Sequence, residues 1–481
     1  MMIGEQKNSF VKRVMGSFAW QGFGRISERM LRFGMNIVLA RILTTGDFGL
    51  FTALLAPIAA IETFTFLSSG PFIIQNDRGR EPGVLRTVLL LNVLRGFFLC
   101  AVLLSSASLV ADYFGRPEMR SLMMVMALVP LVSSFMSPAI HVLEKDLKFK
   151  PVALNGLVAA VVGTAVALYV AYHSPSVWVL ILGKIAFSLS SLIGSWIIAP
   201  MNPFHRPDFS VFGNFRRYAF GAFGIPVLIM AVGQAPAILI GRLDSMDSLG
   251  VFALTYRLAE LPVFLSLSVI GSVLIPAYSK LQNDLPRLRR VWLFAWSTIG
   301  LSTLPLALLV AWSGNSLPVF VWGAKYTSEG PLVPLLALVG FFSAMLAITG
   351  PLFWGVGKPG TDRTMQFVRV VLVYALGVPL AINFGAIGVA SALVFGLVGA
   401  LFVGVMAALN TVDSDFRTLL RSSVPGLAIG FMLFIILYLV DVLFSPVGFD
   451  RLFWSGSIGL LLGMVLVGFV FLRRDGMKRF L

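Results

Sequence analysis

Long apolar runs alternate with short polar segments along the whole chain. Each run is close to the ~20 residues that a helix needs to cross a bilayer. The runs lie at residues 15–40, 48–74, 85–111, 119–142, 152–172, 177–200, 216–240, 249–276, 291–313, 331–354, 366–383, 387–409, 423–443 and 453–472. Because they are continuous and not strictly alternating, they favour helices over a β-barrel. We predict an all-α polytopic membrane protein with about 14 transmembrane helices.

The composition agrees with this class. The chain has 481 residues, of which 58% are hydrophobic and 12% charged, and its mean hydropathy is +0.90. A soluble domain of this length could not bury so much apolar surface. No loop between the predicted spans exceeds about twenty residues. We therefore expect a membrane transport protein and not an enzyme, since a membrane glycosyltransferase or polymerase would need a large external loop or an acidic metal motif.

Basic residues concentrate on one side of the predicted membrane. If the N-terminus is cytoplasmic, the loops and tails on that side carry 24 Lys and Arg residues, and those on the other side carry 6. The positive-inside rule then places both termini of this multi-pass chain in the cytoplasm. This asymmetry explains the net charge of +15, so nucleic acid is not an expected partner.

Two stretches that lie 201 residues apart resemble each other. The stretch "ARILTTGDFGLFTALLAP" begins at Ala40, and "GRLDSMDSLGVFALTYRL" begins at Gly241. Each joins the first and second spans of a six-span block through a short external turn. Two blocks with the same topology are expected to be related by an axis along the membrane normal, with a cavity between them.

This repeat predicts the domain organisation. Residues 1–205 form an N-terminal lobe with spans one to six, and residues 206–412 form a C-terminal lobe with spans seven to twelve. Residues 413–481 add two further spans outside the repeat.

The first predicted span contains a polar stripe. At 100° per residue, six polar side chains fall within an arc of about 100° on one helix face. They are Gln21, Arg25, Glu28, Arg29, Arg32 and Asn36. A charge that faces lipid costs roughly a few to more than ten kcal/mol, so this face is expected to line a protein interior or a wet cavity.

The charges of this stripe predict a ligand. Glu28 can pair with and position Arg25 and Arg32, which leaves roughly two positive charges uncompensated. An anion is the natural complement, and the planar guanidinium group suits phosphate. We interpret Arg25, Arg29 and Arg32 as ligands of an anion such as phosphate, with Gln21 and Asn36 as further polar contacts on the same face. The alternative is that the arginines snorkel, or pair with acids on other helices such as Glu62 and Glu260.

Other polar residues within the predicted spans have weaker claims. Glu62 can carry a coupling proton or Na⁺, or balance an arginine, and Glu260 is a second candidate of the same kind. Arg257 lies one turn from Glu260, is expected to pair with it, and is also a candidate substrate ligand. Four further residues can line a cavity or bond between helices: Asn92, Arg95, Lys184 and Gln234.

Several chemistries are not encoded. The three histidines are scattered without metal-ligand spacing, so no metal site is expected. The stretch "GVGKPG" at 355–360 lacks the spacing and the Ser or Thr of a phosphate-binding loop. Apart from a coupling H⁺ or Na⁺, we expect no cofactor.

Three segments resemble motifs of a known family. The stretch "LARILTTGDFGLF" at 39–51 is similar to the first-to-second-span turn of bacterial polysaccharide flippases. These are the Wzx-like and TuaB-like members of the multidrug/oligosaccharidyl-lipid/polysaccharide exporter superfamily. "LEKDLKFKP" at 143–151 resembles the loop after their fourth span, and "RPDFS" at 206–210 resembles the segment that enters their seventh. Gly46 stands where the family often has a proline.

The resemblance implies two six-helix lobes in a V around a central cationic cavity, plus two extra helices. It also implies a flippase that moves undecaprenyl-diphosphate-linked oligosaccharide from the cytoplasmic to the periplasmic leaflet of the bacterial inner (plasma) membrane. That step serves surface polysaccharide or exopolysaccharide synthesis. The expected partners are the polyprenyl-diphosphate-linked cargo, membrane lipids, and a polysaccharide polymerase and co-polymerase.

Two alternatives belong to the same superfamily. A flippase for the peptidoglycan precursor lipid II would also handle a diphosphate. A cation-coupled multidrug exporter is the other alternative, although three arginines on one face would repel cationic drugs.

Overall fold

Helices make up most of the part of the chain that the structure describes. This computed structural model describes residues 26–65, 69–213, 224–260, 274–328 and 330–444, together with positions 20, 22, 24, 450, 454, 457 and 458. Within these residues no strand occurs, and nine helices are long and apolar enough to cross a membrane. The predicted class, an all-helical multi-pass membrane protein, is thereby confirmed. The count of fourteen spans and the arrangement of the lobes stay predictions.

The helices belong to two compact units, Met1–Met230 and Ala231–Leu481. The first unit contains α1 (26–42), α2 (Thr45–Phe64), α3 (Ser69–Gln75), α4 (Pro82–Phe114), α5 (Met119–Met126), α6 (Leu128–Ser134), α7 (Ile140–Lys145), α8 (Phe149–His173) and α9 (Trp178–Ile198). The boundary falls within α10 (Ile225–Leu243). The second unit continues with α11 (Met246–Ala259), α12 (Leu285–Ser313), α13 (Ser316–Trp322), α14 (Leu332–Gly355), α15 (Pro359–Thr411) and α16 (Phe416–Phe444). The predicted boundaries at 205 and 412 remain predictions.

The two turns of the sequence repeat start helices in the same way. Thr44 Oγ1 accepts a hydrogen bond from the backbone N–H of Asp47 at 3.1 Å, and the Asp47 carboxylate accepts one from the N–H of Thr44 at 2.9 Å. This capping box starts α2. Ser245 caps α11 by accepting from the N–H of Ser248 at 3.0 Å. The two caps are separated by the same 201 residues as the repeat.

The predicted fourth span, 119–142, is wrong as one continuous helix, because the structure divides it into α5, α6 and α7. Proline explains both breaks, since it lacks an N–H and its ring clashes with the carbonyl four residues earlier. Thus α5 ends at Met126, four residues before Pro130, and α6 ends at Ser134, four residues before Pro138.

Helices α8 and α9 pack closely through small residues. A Cβ at Gly163 would lie 2.9 Å from the carbonyl oxygen of Gly183 and 3.0 Å from Cβ of Phe187. A Cβ at Gly183 would lie 2.9 Å from that of Ala167. Such contacts let helix backbones approach closely in a bilayer, where association depends on van der Waals packing. This glycine seam holds the face of α9 that carries Phe187 against α8.

In the second unit, α15 is a helical hairpin that reverses at one glycine. Gly385 has φ 53° and ψ −132°, a conformation suited to glycine. The two halves then pack together, because a Cβ at Gly396 would lie 2.5 Å from Cγ2 of Val373. The Asp244 carboxylate accepts a hydrogen bond from the N–H of Ala386 at 3.0 Å and so holds the turn. Predicted spans eleven and twelve lie on the two sides of Gly385.

The substitution Gly385→Ala should destabilise the second unit. The added Cβ would collide with the Asp244 carboxylate. The alanine would also have to adopt a positive φ, a strain of about 1–3 kcal/mol. We expect a melting temperature in detergent several degrees below that of the unmodified protein. Gly360→Ala is the matched control, since nothing lies within 4 Å of that position on the same helix. Equal melting temperatures for the two variants would contradict the assigned role of the turn.

Charged side chains tie the segment around Asp208 to the start of α4. Arg78 Nη2 donates to the Asp208 carboxylate at 2.6 Å, and its Nε donates to Glu81 at 2.9 Å. The N–H of Asp208 donates to the carbonyl of Gly83 at 3.2 Å, and Thr87 Oγ1 donates to the carbonyl of Asp208 at 3.0 Å. The segment that follows the predicted sixth span is therefore fastened to α4.

These contacts lower two carboxyl pKa values. Hydrogen bonds from Ser210, and then from Arg78, hold the pKa of Asp208 below its ordinary value. The hydrogen bond from Arg78 does the same to the pKa of Glu81. A carboxyl group with a depressed folded pKa stabilises the fold above its ordinary pKa, and this effect is lost as the pH falls through the depressed value. The fastening should therefore persist at neutral pH and weaken only in acid.

The substitution Arg78→Gln should loosen this segment at neutral pH. We expect several-fold faster amide hydrogen exchange at Asp208 and Ser210, because their hydrogen-bonded carboxylate loses its cation. Arg80→Gln is the matched control, since Arg80 lies two residues away but pairs with Asp146. Equal exchange in the two variants would show that Arg78 does not hold the segment.

Candidate functional site

The structure describes four of the six residues in the predicted polar stripe. Glu28, Arg29, Arg32 and Asn36 lie on α1, and all are partly buried except Arg29, which is exposed. Gln21 and Arg25 lie outside the described residues.

Glu28 and Arg32 form an ion pair along α1. Arg32 Nη2 donates to Glu28 Oε1 at 2.6 Å, and both side chains keep some solvent exposure. The second carboxylate oxygen points toward α8, where a Cβ at Gly156 would lie 3.1 Å from it. The absence of a side chain at Gly156 makes room for this carboxylate, so the charged face of α1 lies against α8.

Two cations approach the same aromatic ring. The guanidinium carbon of Arg32 lies 4.3 Å from the ring centroid of Phe187, and Lys184 Nζ lies 5.5 Å from it. Both distances are within the range of cation–π attraction. Arg32 Nε is buried and has no hydrogen-bond partner among the described residues. Lys184 likewise forms no hydrogen bond or salt bridge there, so the ring carries two cations whose bonding capacity is only partly used.

Glu62 and Arg95 extend this group of charges across α2 and α4. Arg95 Nη2 donates to the carbonyl oxygen of Glu62 at 2.9 Å, and its Nε donates to Thr65 Oγ1 at 3.1 Å. The Glu62 carboxylate interacts electrostatically with Arg95 and Lys184. Lys184 in turn interacts with Arg32, Glu62 and Glu28.

We call this set of five residues the charge cluster, and its members are Glu28, Arg32, Glu62, Arg95 and Lys184. They come from four helices of the first unit, α1, α2, α4 and α9. Three cations face two anions, which leaves a formal charge of +1. In a low-dielectric site such an excess attracts an anion strongly.

The predicted residues of the second unit form a separate group. Arg257 interacts electrostatically with Glu260, as expected for two residues one turn apart. Tyr256 lies on the same helix, one turn before Glu260. Glu260 is thus engaged by Arg257 of α11.

Sequence reasoning did not assign Lys184 or Phe187 to the site. Lys184 was one of several residues that can line a cavity, and Phe187 was not distinguished from other apolar positions. Their spacing of three residues places them on one face of α9, which is a usable signal. That signal gains meaning only when the neighbouring charge on α1 is known.

Solved structures first define the class of fold. The "Lipid II flippase MurJ, inward closed conformation" matches with a TM-score of 0.74 at 18% identity, over 95% of this chain and 99% of that chain. A multidrug resistance MATE family transporter of the MOP superfamily in an inward-facing conformation matches with a TM-score of 0.63 at 14% identity, over 80% and 95%. The fold is that of this class of membrane transporter.

The family follows from the sequence. Residues 38–331 match the family described as "Polysaccharide biosynthesis protein", and the chain belongs to this family. The teichuronic acid biosynthesis protein TuaB of Bacillus subtilis is 21% identical, over 79% of this chain and 78% of its own length. The lipopolysaccharide biosynthesis protein WzxC of Escherichia coli is 25% identical, over 75% and 73%. The succinoglycan biosynthesis transport protein ExoT of Rhizobium meliloti is 21% identical, over 78% and 75%. The predicted family is confirmed.

The charge cluster should behave as one electrostatic unit. Removing the Glu62 charge leaves three cations with one anion, so Glu62→Gln should lower the melting temperature. Lys184→Met in the same chain should restore part of the loss, with a coupling of about 0.5–3 kcal/mol in a double-mutant cycle. Glu118→Gln is the control, since Glu118 lies in an exposed loop. If the effects of the two substitutions on stability are strictly additive, Lys184 and Glu62 do not interact.

Proposed function

We propose that the protein is a flippase that moves undecaprenyl-diphosphate-linked oligosaccharide across the bacterial inner membrane for surface polysaccharide synthesis. Its family, and relatives named for teichuronic acid, lipopolysaccharide and succinoglycan biosynthesis, support this cargo class. The transporter fold supports translocation over a catalytic role, so the protein is not an enzyme in this proposal. A polymerase and a co-polymerase that act on the exported units are the proposed partners.

The observation that carries the proposal is the pair of cations on Phe187. Arg32 and Lys184 come from different helices, and neither uses its full bonding capacity within the described residues. A diphosphate supplies the missing negative charge and accepts several charge-assisted hydrogen bonds. Glu28 keeps the Arg32 side chain in place.

The remaining residues of the stripe complete the proposed site. Arg29 lies one turn from Arg32 on α1 and supplies a further cation, as does Arg25, which lies outside the described residues. Asn36, and Gln21 at the other end of the stripe, contact sugar or phosphate. In the second unit, Arg257 and Glu260 keep their proposed roles as substrate ligand and coupling group.

Glu62 is the proposed coupling group of the first unit. Glu62 and the incoming anion compete for Lys184, because that lysine interacts with Glu62 and also lies close to Arg32. When the diphosphate takes Lys184, Glu62 loses a counter-charge and takes up H⁺ or Na⁺. Transport is thereby linked to an ion gradient.

The charge asymmetry of the loops supports an orientation with both termini in the cytoplasm. Fourteen spans agree with this orientation, since an even number returns the chain to the side on which it began. The proposed cargo is then loaded on the basic side of the membrane.

The two alternatives have less support. The likeness to a lipid II flippase is one of fold, at 18% identity. A multidrug exporter of cations would be disfavoured by the positive charge of the cluster. The named relatives of comparable length are polysaccharide biosynthesis proteins.

Export of surface polysaccharide in a strain that lacks the chromosomal copy tests the proposal. Arg32→Gln and Lys184→Gln should each reduce the rate about tenfold or more, since each removes a charge-assisted contact of about 1.5–3 kcal/mol. Undecaprenyl-linked oligosaccharide should accumulate inside the cell. Arg120→Gln, at an exposed position in the first turn of α5, is the control.

Protein levels in the membrane must match across these variants. If Arg32→Gln and Lys184→Gln are both present at normal levels and export normally, the diphosphate site is not where we propose it.

A further inference from the structure

The second unit contains an arginine for which the proposed function has no use. Apart from Arg216 and Arg217 at the edge of the seventh, the predicted spans seven to twelve hold two arginines, Arg257 and Arg369, and one acid, Glu260. The stretch 261–273, which the structure does not describe, contains no Asp or Glu. These spans therefore have more positive than negative charge from their sequence alone.

The contacts show which arginine lacks compensation. Glu260 lies one turn from Arg257 and interacts electrostatically with it. The Nε of Arg369 is buried without a hydrogen-bond partner in the described part of the chain. No salt bridge joins Arg369 to an acid there.

The position of Arg369 is fixed by packing. It lies on the first half of α15, and a Cβ at Gly396 of the second half would lie 3.6 Å from its Cγ. The same Cβ would lie 3.1 Å from its carbonyl oxygen. The close approach at Gly396 confines the aliphatic stem of Arg369.

A guanidinium group held in a membrane helix without an acid is costly, and such groups typically mark ligand or ion pathways. Its planar fork bonds two oxygens of a carboxylate or phosphate at once. We propose that Arg369 binds an oxoanion, a carboxylate or phosphate group, at a site in the second unit. This inference concerns the second unit alone and does not depend on the diphosphate site of the first.

The contrary view is that Arg369 only holds the α15 hairpin together. The two roles predict opposite changes in stability. If Arg369 is an anion ligand, its replacement by an apolar side chain removes an uncompensated charge and leaves the anion-free protein at least as stable. If it is structural, the same replacement destabilises the protein.

The test uses the purified full-length protein in phosphatidylcholine nanodiscs. Its melting temperature is measured with increasing inorganic phosphate and, separately, glucuronate. The variants are Arg369→Met, which keeps the stem that packs on Gly396, and Arg369→Lys, which keeps the charge but loses the fork. Arg363→Gln is the matched control, since Arg363 is an exposed arginine near the start of the same helix.

We expect at least one anion to raise the melting temperature of the unmodified protein and of Arg363→Gln along the same saturable curve. Arg369→Met should be at least as stable without anion and should lose the response, with an apparent affinity weaker by about tenfold or more. Arg369→Lys should respond at higher anion concentrations. Nanodiscs with phosphatidylglycerol identify the source, because a lipid phosphate in the site would compete with the soluble anion.

Three results would overturn the inference. The unmodified protein responds to neither anion in phosphatidylcholine, or Arg369→Met keeps the full response, or Arg369→Met is markedly less stable when empty. Arg32→Gln separates the two sites. If that variant loses the response while Arg369→Met keeps it, the anion binds in the first unit, so this inference fails and the diphosphate site stands.

Discussion

The central constraint on this protein is that hydrocarbon cannot solvate a charge. Each ion within a membrane helix must find its compensation from other helices, from water or from a ligand. The charge cluster meets this requirement only in part, because Glu28 and Glu62 face Arg32, Arg95 and Lys184. The positions of α1, α2, α4 and α9 are tied to this arrangement. An incomplete balance at such a place is a property that a carrier of anions requires and a purely structural network does not.

The same medium also explains the backbone. Peptide groups in lipid must bond within their own segment, and this leaves helices as the available element for long apolar runs. Departures from helix occur where a specific residue compels them. Pro130 and Pro138 end helices four residues before themselves, and Gly385 lets a helix reverse within a single residue. At Gly385 the Asp244 carboxylate bonds an N–H of the turn.

The fold class, most helix positions and the two repeated turns could be predicted from the sequence, because the hydrophobic pattern and the repeat are read directly along the chain. The division of the fourth span was readable from Pro130 and Pro138, but prolines are also tolerated in membrane helices, so their presence alone did not require a break. The site was only half predictable. The stripe on α1 follows from helical geometry, whereas the approach of Lys184 and Phe187 depends on how α1 packs against α8 and α9, which are distant from it in sequence. Arg369 illustrates the same limit, since its lack of an acid partner becomes evident only once Glu260 is seen to interact with Arg257.

The glycine seam between α8 and α9 has a mechanical consequence. Where long side chains mediate a helix contact, rotamer changes can absorb small displacements before the backbone moves. At Gly163 and Gly183 no such slack exists, because the contact is nearly backbone on backbone. A shift of α8 is therefore passed to α9 without damping, and Phe187 and Lys184 move together with α9 relative to Arg32 on α1. The seam therefore acts as a stiff linkage that converts a displacement of α8 into a change in the separation between Lys184 and Arg32.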